Sequence, residues 1–141
     1  MKTSVVIIAK NEPRIKYTLD SLIWQVIKPD EVIVVVDDYN DPVVNIIKSH
    51  LIRNFVHVKI VVNDSPGYGG ARKCGVENSE GDIVIFISAD AMADNAWIQE
   101  IIKAFYQIPN LHVQAGRTVD IHSLDDIKKI KNNLKLSLIH I

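Results

Sequence analysis

A single cysteine, Cys74, occurs among 141 residues, so no internal disulfide can form. It falls among apolar and small residues of a predicted helix, the setting of a buried free thiol rather than of a nucleophile. Charge of one sign is also missing. A formal net charge of -1 gives no general attraction to nucleic acid, and no basic run is interleaved with aromatics as a nucleic-acid groove requires. No apolar stretch reaches the roughly 18 residues that span a bilayer, and the N-terminus lacks the apolar core and cleavage site of a secretory signal. The expectation is a cytoplasmic protein without a nucleic-acid partner. Internal repeats, linkers and low-complexity tracts are absent, and His50, His57, His112 and His140 show no metal-ligand spacing.

What is present is a core: 48% hydrophobic and 23% charged residues over this length fit one globular domain. The most informative segment runs from Asp82 to Ala91, where Ile83-Val84-Ile85-Phe86-Ile87 ends in Ser88-Ala89-Asp90. That is a buried strand delivering a carboxylate to the edge of a sheet. Glu31 to Val36 runs likewise into Asp37-Asp38, and Ser4 to Ala9 into Lys10-Asn11-Glu12. Ligands of open α/β sheets bind beyond the carboxyl ends of the strands, so these three tips define a candidate site.

Apolar runs alternate with segments of helical period, the pattern of β-α-β units and a mainly parallel sheet. After Pro13, Ile15, Leu19, Leu22, Ile23 and Val26 predict a helix reaching about Ile27. Val43 to Leu51 predicts a second, about Ala71 to Asn78 a third, and Trp97 to Tyr106 a fourth, with Asn95 as its cap. Further strands are expected at Val58–Val62, Leu111–Ala115 and Thr118–Ile121. The segment 63–70, ending Gly67-Tyr68-Gly69-Gly70, reads as a loop. Residues 1–122 form the expected domain, and 123–141 a helical tail of it whose Leu124, Ile127, Ile130, Leu134 and Leu138 make one apolar stripe beside lysines.

Five motifs in order carry a resemblance over roughly residues 3 to 120: Ala9-Lys10-Asn11-Glu12, Ser21-Leu22-Ile23-Trp24-Gln25, Val36-Asp37-Asp38, Ala71-Arg72-Lys73-Cys74-Gly75, and Ser88-Ala89-Asp90 followed by Trp97-Ile98. The chain resembles the family 2 glycosyltransferases of the GT-A fold, which implies a Rossmann-type three-layer α/β/α domain that takes a nucleotide-diphospho-sugar donor. The resemblance implies that Asp90, matching the second acid of Asp-x-Asp, ligates Mg²⁺ or Mn²⁺, the cation that neutralises a diphosphate leaving group. Ser88 replaces the family's first acid with a neutral hydroxyl, and either ligand contact or small-residue packing accounts for it. Asp38 matches the acid that accepts the imide N–H of a uracil or thymine, with turn capping as the alternative for Asp37 and Asp38 alike. Asn11 and Glu12 close the same pocket, Ile8 and Ala9 meet the base through backbone atoms, and Ala89 lies beside Asp90. Arg72 is placed for the diphosphate or the base side, or for an exposed salt bridge.

Other readings stay open. Gly67-Tyr68-Gly69-Gly70-Ala71 between a strand and a helix imitates half of a dinucleotide fingerprint, which makes an NAD-dependent oxidoreductase the minor alternative. The family's catalytic base lies in a later acceptor half that this chain is expected to lack, so a non-catalytic nucleotide-sugar-binding module, or an enzyme completed by a partner chain, is the larger one. Asp120 and His122, two apart, are candidates for the base or for an extra metal ligand, against ordinary strand-end polarity. The apolar tail stripe suggests a homodimer, or a peripheral contact at the inner membrane surface.

Overall fold

The computed structural model describes residues 1–113 and the backbone of two short strands at 118–120 and 138–140. Four parallel strands make the main sheet: β1 (Thr3–Ile8), β2 (Glu31–Val36), β3 (His57–Val62) and β4 (Ile83–Ser88), in the order β3-β2-β1-β4. Val5 lies opposite both Val32 and Ile85, and Ile8 opposite Val35 and Ser88, so β1 and β4 end level with each other. β1 and β2 are central and covered on both faces, which is why their sequences are continuously apolar rather than alternating.

The two faces have different partners. Val5, Ile7, Val32 and Val34 pack in one cluster with residues of helices α1 (Ile15–Ile23), α2 (Pro42–Ser49) and α4 (Trp97–Gln107), together with the 3₁₀ turn Leu51–Asn54. Val6, Ile33 and Val35 point to the other face, against Ala71 and Cys74 of helix α3 (Gly67–Glu77). The result is the expected three-layer α/β/α order. Gly75 lets α3 lie close: a Cβ there would collide with a methyl of Val6. Burial raises the Cys74 thiol above its usual pKa, and its Sγ points at Val62 O, 3.7 Å away, so it is inert packing.

Some expectations need correction. α1 stops at Ile23, because the Gln25 side chain turns inward and the chain leaves the helix, with Val26 N donating to Asn95 O at 2.9 Å. The glycine-rich segment from Gly67 is not a loop but the first turn of α3, with Gly67 at φ 77°. At the start of α4 the Asp94 carboxylate, not Asn95, takes Ala96 N at 2.9 Å. Leu111–Val113 forms no strand. The tail does not end as a helix: β7 (Leu138–His140) pairs antiparallel with β5 (Ala91–Ala93) and parallel with β6 (Thr118–Asp120), supplying the short β5 with backbone partners. Leu124, Ile127, Ile130 and Leu134 lie outside the described residues, and among those described no helix is long and apolar enough to cross a membrane.

Two polar constellations fix the ends of the sheet. Thr18 and Ser21 on one face of α1, and Gln25 just past its end, are all buried, and each bonds to the segment after β4. Thr18 Oγ1 donates to Ala89 O (2.9 Å), Ser21 Oγ accepts from Ala93 N (3.0 Å), and Gln25 donates to Asp94 O (2.6 Å) and accepts from Ile98 N (3.1 Å). At the opposite end Glu31 is buried. Its Oε1 accepts from Ser4 Oγ (2.6 Å) and Glu80 N (2.5 Å), and its Oε2 lies 3.1 Å from Lys59 Nζ. Burial pushes the Glu31 carboxyl up, but the Ser4 and Glu80 hydrogen bonds and the Lys59 ammonium outweigh it and hold the group below its ordinary value of 4.5.

Gln25→Leu leaves Ile98 N without its acceptor and Asp94 O with Trp97 N alone, and should lower unfolding free energy in urea by about 1–3 kcal/mol. A loss under about 0.5 kcal/mol, the range of an ordinary surface change, would mean that Gln25 is not the bolt described. Because folding lowers the Glu31 pKa, its stabilisation is present above about 4.5 and is lost as pH falls through the folded value. The stability gap between the parent and Glu31→Gln is therefore expected to shrink between pH 6 and pH 3, and a gap independent of pH would refute the linkage.

Candidate functional site

The order of the main sheet reverses at β1: β2 and β3 build outward on one side, and β4 was added on the other. At such a switch point the loops after the strands part and leave a crevice. A cleft of about 770 Å³ opens there. Ile8 and Ala9 form one wall at the tip of β1, and Ser88, Ala89 and Asp90 the facing wall at the tip of β4. Glu12 comes from the turn before α1 and Arg72 from α3. Seven of the predicted site residues are thus brought together.

Asp90 owes its place to Thr18, which holds the preceding carbonyl of Ala89, and to Ser21, which holds Ala93 N. It is half-buried, and its charge acts on the Arg14 guanidinium. Ser88 pairs with Ile8 in the sheet and its side chain is exposed. Glu12 bonds to Arg14 Nε and is one-fifth exposed at its side chain, the arginine about half.

Two predicted residues stand outside the cleft wall. Asn11 has φ 45°, a left-handed conformation that asparagine tolerates, and its N–H donates to Asp41 Oδ2 at 2.8 Å. Asp41 also caps α2 by accepting from Val43 N at 2.9 Å, so Asn11 and Asp41 tie two turns together. Asp38 is exposed, and its Oδ1 accepts from Asn40 N at 2.8 Å, an Asx turn. Asp37 is the member of the pair that lines the cleft, 3.9 Å from Lys10 Nζ. Asp120 lies in β6, its backbone in register with His140, and His122 lies outside the described residues.

Sequence reasoning missed Lys10, Arg14 and Phe86 as lining residues. Phe86 was legible in principle: alternation along β4 sends Val84, Phe86 and Ser88 to one face, which α3 covers only in part. Lys10 and Arg14 gave no such signal, since a lysine and an arginine near a helix start read as solvated charge. No cluster of three or more His, Cys, Asp or Glu that could hold a metal occurs among the described residues. The carboxylate of Asp90 suits a hard cation, which would complete its shell with ligand oxygens and water.

The Glycosyl transferase family 2 pattern matches residues 4–140. No curated protein matches significantly. Among solved structures, TarS 1-349 from S. aureus is similar with TM-score 0.66 and 26% identity, over 76% of this chain and 33% of that one. The mannosyltransferase PcManGT from Pyrobaculum calidifontis, solved with GDP-Man and Mn²⁺, has TM-score 0.66 and 19% identity, over 91% and 37%. Glucosyl-3-phosphoglycerate synthase from Mycobacterium tuberculosis, solved with Mn²⁺, UDP and glucosyl-3-phosphoglycerate, has TM-score 0.59 and 20% identity, over 92% and 47%. The chain spans between a third and a half of the length of these structures, and the last two likenesses speak to the fold alone. With its parallel sheet, its cleft at the switch point and a family pattern running almost end to end, the chain belongs to glycosyl transferase family 2.

Proposed function

We propose that this domain binds the nucleoside-diphosphate half of a sugar donor in the cleft and takes part in transfer of the sugar to an acceptor. The observation that carries the reading is the buried polar row of Thr18, Ser21 and Gln25, which directs four hydrogen bonds to the segment that presents Asp90 at the switch point. Family membership also removes the dinucleotide alternative for the glycine-rich segment.

Asp90 is the proposed ligand for Mg²⁺ or Mn²⁺. Bound there, the cation would offset the charge that grows on the diphosphate as the bond to the sugar carbon breaks. Arg72 would face the diphosphate from α3, and the backbone at Ile8 and Ala9 would border the base. The base-reading carboxylate is assigned to Asp37, since Asp37 lines the cleft and Asp38 is engaged with Asn40 N. Ser88, one of the exposed residues at the same tip, is placed near the ribose or the cation. Transfer also needs a group to take the acceptor's proton, and Asp120 and His122 keep that candidacy. The homodimer and membrane readings depended on a helical stripe that includes Leu138, which sits in β7 instead, so neither enters the proposal.

Titration calorimetry with UDP and GDP should show tighter binding in Mn²⁺ than in EDTA, by about tenfold or more, corresponding to ~1.4 kcal/mol. Asp90→Ala should abolish that increment while leaving the melting temperature near the parent's. Equal affinity with and without metal in the parent would remove the cation from the mechanism.

Asp37→Asn is expected to weaken the preferred nucleotide by about 1–3 kcal/mol and to flatten the ranking among UDP, GDP and CDP, because an amide presents a donor where the base presents one. Asp38→Asn should change the ranking little. The reverse pattern in the competition series would return the base contact to Asp38.

A further inference from the structure

A donor's diphosphate brings several negative charges into a cleft whose own charges cancel: Lys10, Arg14 and Arg72 stand against Glu12, Asp37 and Asp90. Lys10 lies across from Asp37, at 3.9 Å. The tip of β4 offers a metal one carboxylate, Asp90, with the hydroxyl of Ser88 two residues before it. Arg14 is the remaining cation on the β1 side. It stands immediately before α1, where Ile15 N bonds to Glu12 O at 3.2 Å and Tyr17 N to Arg14 O at 3.0 Å, so its backbone is fixed by the turn. Its guanidinium is drawn to the wall by Glu12 Oε1 and remains about half exposed toward the cleft.

We propose that Arg14 is a resident cation of the donor site, contacting the diphosphate directly and giving nucleoside-diphosphate binding a component that needs no metal, with Glu12 as the positioning residue that orients it. The inference rests on the donor-binding reading above. A guanidinium has five N–H donors in one plane and matches phosphate oxygens two at a time, which lets one group meet Glu12 and a phosphate together. Its charge is secure: the Glu12 hydrogen bond raises the Arg14 pKa, burial opposes this, and the charges of Glu12 and then Asp90 raise it further. Arg14 on the β1 side and a cation at Asp90 on the β4 side would both meet the diphosphate, and titrations without and with metal read them in turn.

The test compares UDP with uridine, and GDP with guanosine, by calorimetry at fixed salt in EDTA and in Mn²⁺, since the ratio of the two affinities isolates the diphosphate. In EDTA the parent should favour the diphosphate by about tenfold, Arg14→Gln should bring the ratio close to one, and Arg14→Lys should restore part of it. In Mn²⁺ the Arg14→Gln protein should retain the increment that Asp90→Ala loses. Glu12→Gln, which releases the guanidinium, should change the metal-free ratio. Melting temperatures of the Arg14 variants, read beside the affinities, separate a folding defect from a lost contact to the diphosphate. An unchanged metal-free ratio in Arg14→Gln overturns the proposal, as does a parent that binds diphosphates only in Mn²⁺. A parent that binds neither diphosphate under either condition overturns the donor-binding reading itself.

Discussion

Three buried polar side chains, two on α1 and one just past its end, hold the segment on which the site depends. Residues 89 to 98 follow a parallel strand and lead into α4, with only the short β5 between, so their backbone groups have few sheet partners of their own. Buried peptide groups without partners cost of the order of 1–3 kcal/mol each. Thr18 and Ser21 on α1 and Gln25 just past its end, spaced three and four apart, supply bonds at Ala89, Ala93, Asp94 and Ile98. The same spacing places Leu19 and Leu22 against the sheet, so one helix packs the core and aims the site. The position of Asp90 is thus set by groups that never face the cleft.

The two ends of the sheet are built on opposite electrostatic plans. Around Glu31 every strong acceptor is answered: Ser4, Glu80 and Lys59 converge on one buried carboxylate, and Gly81 N donates to Ser4 Oγ at 2.8 Å. Gly81 has to be glycine there, since a Cβ would press on Ser4. The carboxyl end is the reverse, with six charged side chains around an open cleft. Charges that remain hydrated stay available to a ligand, whereas a buried and saturated pair contributes rigidity.

Much of this was legible in the sequence. The four strands of the main sheet and the four helices were readable because unbroken β-branched runs and 3.6-residue spacing are strong local signals, and the motifs in order pointed to the family. What the motifs do was less legible. Ser21 and Gln25 are structural bolts, and in Ala71-Arg72-Lys73-Cys74-Gly75 three of the five residues, Ala71, Cys74 and Gly75, serve helix-to-sheet packing, while of the two charged ones Arg72 lines the cleft and Lys73 does not. Sequence could not say which of Asp37 and Asp38 faces inward, because a turn breaks the period-2 rule just where the strand ends. Nor could it show that Leu138–His140 would be a strand: apolar spacing of three and four is satisfied by a helix, and only the distant β5 reveals the competing partner.

The pairing of β1 with β4 joins Thr3 to Ile83 and Ile8 to Ser88, residues eighty apart, with two complete β-α units between them. Closing so long a loop is slow compared with forming the neighbouring pairs, because its entropy is lost before any contact rewards it. β1, β2 and β3 can assemble from local crossovers, but both walls of the cleft exist only after β4 has docked along β1. The capacity to hold a ligand is therefore acquired late on the folding route, and recovery of nucleotide binding after dilution from denaturant would time that docking step separately from the earlier growth of helix.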